Sequence, residues 1–166
     1  MKAYDIRIYP DPVLTLQSEK VEKFDDELRE IIDSLRLTMQ ISGGVGLAAP
    51  QIGILKRIAI IVRNEQQYVL INPELMESSG NITSEEGCLS FPGIFAQVTR
   101  PNCIKIKTND MGGEEKFIEV DGYIARAFLH EMDHLEGKLF IDHISPLKRG
   151  VIRKKMKKRS LNEKNE

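Results

Sequence analysis

Between residues 28 and 39 the apolar positions Leu28, Ile31, Ile32, Leu35 and Met39 recur at the three-and-four spacing of a helix with one buried side. Asp25 and Asp26 precede them, and either carboxylate can accept from the open amides of a first turn. Ser42-Gly43-Gly44 ends this helix. A run of small residues follows, Gly44-Val45-Gly46-Leu47-Ala48-Ala49-Pro50-Gln51, whose lack of bulk lets backbone come close to another group. The pattern then changes to short extended stretches at 57–62, 68–72, 102–108 and 116–120; in the third, Ile104 and Ile106 alternate with Lys105 and Lys107. Asn109-Asp110-Met111-Gly112-Gly113 joins the last two as a hairpin turn. Helical periodicity returns from about Gly122 to Glu136, with Asp121 as the predicted cap and Gly137 as the stop. A third helix is predicted through the basic tail after Pro146, with fraying beyond about Ser160. Helices at both ends and strands between them predict an α+β fold, with mostly antiparallel sheets packed around the second helix.

Length and composition narrow the class. The 166 residues fit one domain over 1–160 followed by a short tail, 161–166. Hydrophobic residues at 41% and charged residues at 30% exclude a disordered or fibrous chain. The first ten residues carry Lys2, Asp5 and Arg7 and no apolar stretch of signal-peptide length, and no run elsewhere is long enough to cross a bilayer. A cytoplasmic protein without a membrane partner is expected. In that reducing compartment Cys88 and Cys103 are not expected to pair, so each thiol is either a metal ligand or an inert buried group.

The formal net charge of -1 conceals an asymmetry. Residues 148–160 hold eight basic side chains (Lys148, Arg149, Arg153, Lys154, Lys155, Lys157, Lys158 and Arg159) and no acidic one. Such a helix either presents a solvated face or attracts phosphates, and the two readings weigh about evenly. Sequence-specific contact with DNA is not expected.

The second predicted helix carries the chemistry, in His130-Glu131-Met132-Asp133-His134. Histidines four apart lie on one helical face and can direct ring nitrogens at a single ion. Glu131, beside His130, is placed to reach a water on that ion without being a ligand. A catalytic site with an open position needs three protein ligands, so a third must come from elsewhere. The protease variant with a third histidine requires one at position 140, which is Phe140; His143 comes three residues late and reads as a residue outside the ligand set. The variant with a downstream glutamate has only Glu163 and Glu166 to draw on, both at the predicted frayed end. Glu86-Gly87-Cys88-Leu89-Ser90 sets a soft thiolate beside a glycine. A lone thiol is more often inert, but the missing third ligand reverses that order for Cys88. Cys103, inside a strand pattern, keeps the inert reading.

Taken in order, the glycine-rich segment 44–51, the segment 86–90 and His130-Glu131-Met132-Asp133-His134-Leu135-Glu136-Gly137 closely resemble the peptide deformylase family over nearly the whole chain. The resemblance implies removal of the formyl group from N-formylmethionine of newly made polypeptides. It implies Cys88, His130 and His134 as metal ligands and Glu131 as general acid/base. Gln51 and the Leu89 amide would hold the formyl oxygen. Gly44, Val45, Gly46, Glu86, Arg126 and Ala127 are the expected substrate-binding residues; Val45 and Ala127 read equally well as plain core. The peptide backbone would add as a strand beside the glycine-rich segment.

The expected cofactor is one divalent ion, Fe2+ by the family's habit, with Zn2+, Ni2+ or Co2+ also suited to a nitrogen and sulfur set. The ion would lower the pKa of its water to about 7, and fixed donors would meet the charge growing on the formyl oxygen. Formylated nascent peptides are the expected partners, with ribosome docking through the basic helix and a monomeric state. The chain departs from the family at Leu129, where Gln usually precedes the first histidine; altered packing behind the helix is expected, not lost chemistry. A general metallopeptidase using the same helix, and a ribosome-associated protein with a structural metal, are the competing readings.

Overall fold

Asp25 does cap the first helix, accepting from Leu28 N at 3.1 Å, and Asp26 is the first helical residue. In the computed structural model, which describes residues 2–164, this helix α1 spans Asp26–Ser42 and ends at Gly43 in the left-handed conformation, φ 72°. Seven strands follow among the described residues: β1 Gly46–Ala48, β2 Ile58–Arg63, β3 Gln66–Ser79, β4 Ile82–Gly87, β5 Phe95–Arg100, β6 Cys103–Asn109 and β7 Glu115–Asp121. Helix α2, Gly122–Leu135, and helix α3, Pro146–Lys164, complete the chain.

One antiparallel sheet has the order β1-β2-β3-β6-β7, and β4 pairs with β5 in a separate two-stranded sheet. The fold is α+β, as the order of elements predicts. Strand β2 explains the layering. Ile58 and Ile60 join Leu28, Ile32, Leu35 and Met39 of α1 in one apolar layer. Ala59 and Ile61 face the other way, into a layer with Ala125, Phe128, Leu129, Met132 and Leu135 of α2. A strand covered on both faces is apolar throughout, not alternating, which is how β2 reads. The small sheet has its own core, in which Val98, Phe91 and Phe140 meet Ile152 and Met156 of α3.

Strands β1, β4 and β5 are not among the predicted elements, and β3 outruns its predicted length. Strand β1 is three residues long, and β4 is exposed along Ile82–Glu85, so neither alternates. Strand β3 runs well past the predicted end at 72, because two register shifts, beginning at Asn72-Pro73, carry pairing through a point where proline reads as a stop. The β6–β7 hairpin forms as predicted, its turn closed by Asp110 Oδ1 accepting from the amides of Gly112 and Glu114, both at 2.9 Å.

Asp121 stands at the start of α2 but makes no side-chain cap bond. Its residue pairs with Cys103 in the ladder, and the next amide, Gly122 N, already donates to Asn102 O at 2.9 Å. Helix α3 continues to Lys164, past the boundary drawn at Ser160, with Arg159 and Glu163 3.5 Å apart on its surface; residues 165–166 of the predicted tail lie outside those described. Cys103 is exposed at the start of β6 and not buried, because strand alternation directs Ile104 inward. No described helix is long and apolar enough to cross a membrane.

Candidate metal centre

Helix α2 lays its apolar side on the large sheet, which brings His130 to Glu86 of β4 and His134 to Cys88, and sets Glu131 against Gly46 of β1. The two imidazole rings stand 5.1 Å apart, as four-residue spacing requires. Cys88 follows the last residue of β4, in a turn closed by Phe91 N donating to Cys88 O at 2.9 Å. Its Sγ lies 3.4 Å from His134 Nε2, and one ligand atom from each of Cys88, His130 and His134 lies within 4.8 Å of the others. The His130 Nδ1 atom is 2.7 Å from Glu86 Oε1. A carboxylate only accepts, so Nδ1 is the donor to Glu86 and Nε2 is the ring atom left to meet an ion.

Electrostatics agree with a cation-binding group. Burial pushes the Cys88 thiol up, but His134 and His130 beside it outweigh that and hold it at about 5. Burial opposes a charged His130, yet the Cys88 sulfur, Glu131 and Glu86 keep its pKa well above the ordinary imidazole value. The cluster therefore favours positive charge among its members. A thiol biased to thiolate and two imidazoles at this spacing fit one divalent transition ion. Burial raises the Glu131 pKa, and Cys88 and Glu86 act with it against the two histidines. Glu131 Oε1 is buried with no protein partner, and Gly46 makes room for the other oxygen.

Gln51, on the short 3-10 helix Ala49–Ile52, is fixed at both ends of its amide: Oε1 accepts from Ala48 N at 3.0 Å and Nε2 donates to Ser90 Oγ at 3.1 Å. Nε2 also lies 3.6 Å from Cys88 Sγ, which brings Gln51 to the Cys88, His130 and His134 cluster. A cavity of 590 Å³ opens in front of His130 and Glu131, bordered by Gly44, Val45, Gly46, Leu89 and Ala127. Val45, 45% exposed, stands at its mouth and not in the core. Glu86 and Arg126 touch this cavity, but their charged ends turn inward, Arg126 Nη1 lying 2.7 Å from Glu86 Oε2 and 2.9 Å from Val98 O. Through these contacts they fasten α2 to the small sheet. Leu129 packs in the apolar layer on the sheet side of α2, away from the ligands.

Three side chains at this site, Arg100, Phe95 and Tyr123, have no signal in one sequence. Arg100, at the end of β5, clasps Glu86 through Nε and Nη2, both at 2.8 Å, and reaches Asp133 Oδ2 with Nη1 at 3.0 Å. Burial opposes the charge on Glu86, but the hydrogen bonds from His130 and Arg100 hold its carboxyl well below the usual range. Phe95 and Tyr123, 62% and 48% exposed, line the cavity beside Val45. His143 is not part of the Cys88, His130 and His134 cluster and contacts Asp133.

The family described as polypeptide deformylase matches over residues 3–150. A peptide deformylase of Thermodesulfovibrio yellowstonii is 45% identical over 162 residues, covering 95% of this chain and 98% of that one. The crystal structure of a peptide deformylase from Legionella pneumophila superposes with a TM-score of 0.91 at 38% identity, covering 99% of each chain. That of the Thermotoga maritima peptide deformylase gives 0.85 at 44% identity, covering 88% of this chain and all of the other.

Proposed function

The chain belongs to the polypeptide deformylase family, which removes the N-formyl group from nascent polypeptides, and from that premise we propose which of its residues do so. Cys88, His130 and His134 hold one divalent ion, Glu131 is the general acid/base, and Gln51 with the Leu89 amide receives the formyl oxygen. The approach of Cys88 to two histidines 42 and 46 positions later, all within 4.8 Å, carries this reading. Ferrous iron is the proposed native ion; zinc, nickel and cobalt suit the same donors.

Bound there, the ion supplies Lewis acidity that brings the pKa of a water molecule down to about 7. Glu131 takes the proton from the attacking water at its unpartnered Oε1 and returns it to the departing amine nitrogen. Its burial-raised pKa suits a group that works in both directions. The formyl oxygen gains negative charge as the amide carbon becomes tetrahedral. Gln51, held by Ala48 and Ser90, directs its second side-chain N–H at the cluster, where it can meet that charge. Gly44 and Gly46 bring the edge of β1 close to the cavity, where the substrate backbone adds as a strand and Val45 and Ala127 receive the methionine side chain.

Residues 1–160 form the single catalytic domain, monomeric and cytoplasmic, with α3 as a basic appendage for ribosomal phosphates. The direct test is formate release from formyl-Met-Ala-Ser by protein kept anaerobic with ferrous iron, alongside metal analysis. Turnover is expected; its absence sinks the reading. Cleavage of internal bonds in an unformylated peptide would favour a general metallopeptidase instead.

A further inference from the structure

A line of four contacts leads from His130 to the surface. His130 Nδ1 meets Glu86 Oε1 at 2.7 Å, and Arg100 grips Glu86 with two nitrogens. The remaining Arg100 nitrogen, Nη1, meets Asp133 Oδ2 at 3.0 Å, and the same oxygen lies 2.7 Å from His143 Nε2. Because a carboxylate only accepts, His143 Nε2 is the donor. Glu86 and Arg100 are buried, whereas the His143 side chain is 36% exposed.

The line joins β4, β5, α2 and the short helix Phe140–His143. That last helix is held from α3, where Arg149 donates to the carbonyls of Ile141, Asp142 and Ile144 at 3.0, 3.2 and 3.1 Å. His143 is thus a fixed donor. A guanidinium is planar and rigid, so pinning Nη1 on Asp133 also sets the plane in which Nε and Nη2 meet Glu86. Arg126 grips Glu86 as well, but bonds to Val98 O and Ile82 O and not to Asp133. The orientation of Arg100 therefore depends on Asp133, and Asp133 is held from outside by His143.

We propose that His143 is a positioning residue for the metal ligand His130, acting through Asp133, Arg100 and Glu86. The proposal rests on the ligand set assigned above. Partners behind a metal ligand typically change metal affinity by about 10- to 100-fold when removed, and a residue this far out belongs at the low end.

The test uses the full chain loaded with cobalt(II), whose ligand-field bands and thiolate charge-transfer absorption report the donor geometry directly. His143→Ala is expected to shift the ligand-field bands, to release cobalt to excess EDTA about 10-fold faster, and to lower kcat with KM unchanged. His143→Gln, which keeps an N–H donor, is expected to restore the wild-type release rate. Wild-type bands and release in His143→Ala, or equal losses in the Ala and Gln variants, would overturn the proposal. If His143→Ala does not fold, His143→Phe keeps the ring without the donor and is judged by the same criteria. Wild-type protein that binds cobalt without a thiolate band would overturn the ligand set itself.

Discussion

The carboxylate of Glu131 occupies the space a side chain would need at Gly46: a Cβ there would stand 2.5 Å from Glu131 Oε2. Gly46 has no positive φ, so the glycine is required by the approach of Glu131 and not by backbone strain. Gly46→Ala is therefore expected to keep fold and metal while displacing the acid/base, lowering kcat by about 100-fold with KM little changed. Steady-state kinetics with metal analysis on the same sample checks this; wild-type kcat would show that the carboxylate has room to spare.

Glu131→Gln removes the proton carrier and leaves the ligands. Metal content should stay at the wild-type level while kcat falls by about two to four orders of magnitude. A carboxyl whose pKa burial raises is destabilising above its unfolded pKa, so at neutral pH the amide should raise the urea midpoint of the metal-free protein. A lower midpoint would contradict the account of Glu131 as a group buried at a cost to stability.

The two cysteines should separate cleanly. Cys88→Ser is expected to lose most of its metal on dialysis, because a hydroxyl is a poorer and less acidic ligand than a thiol already held at about 5. Cys103→Ser, exposed on β6, should retain it. Equal metal content in both variants, by elemental analysis, would remove Cys88 from the ligand set.

Arg100→Met leaves Glu86 with Arg126 and His130 but deletes its two-nitrogen clasp. Breaking a buried ion pair costs about 3–5 kcal/mol, and with Arg126 still in place the low end is expected. Denaturant titration of the metal-free protein reads the stability. The affinity for metal should drop about 10-fold or more. Unchanged affinity would mean that Arg126 alone orients Glu86.

Helix α3 buries Ile152 and Met156 and leaves Lys154, Lys155, Lys157 and Lys158 exposed. Changing these four lysines to Gln should keep the helix docked and spare hydrolysis of a short formyl peptide, while reducing cosedimentation with ribosomes, most visibly at low salt. Cosedimentation unchanged by the substitutions would refute a docking role for this face.

Helix α1, helix α2 and the β6–β7 hairpin were legible because their signals are local: periodicity, an Asp before the first turn, a glycine after the last. So was the pairing of His130 with His134, since helical spacing alone puts both on one side. Strands β1, β4 and β5 were not: β1 is too short and β4 too exposed to alternate, the inward side of β5 is Ala96, Val98 and the ion-paired Arg100, which does not read as apolar, and each partner is chosen by the rest of the fold. Cys88 was reached by elimination and by resemblance; its 3.4 Å approach to His134 is tertiary.

The sequence by itself determined which face of α2 carries His130, Glu131 and His134, that a third ligand for an ion there must come from elsewhere, and the family to which the chain belongs. Only the tertiary structure decided what holds that face in place. Glu86, Arg100, Asp133 and His143 come from four separate elements, and a charge finds its partner through packing that no local spacing encodes. For the same reason the glycine at position 46 acquires its meaning only when Glu131 is seen against it.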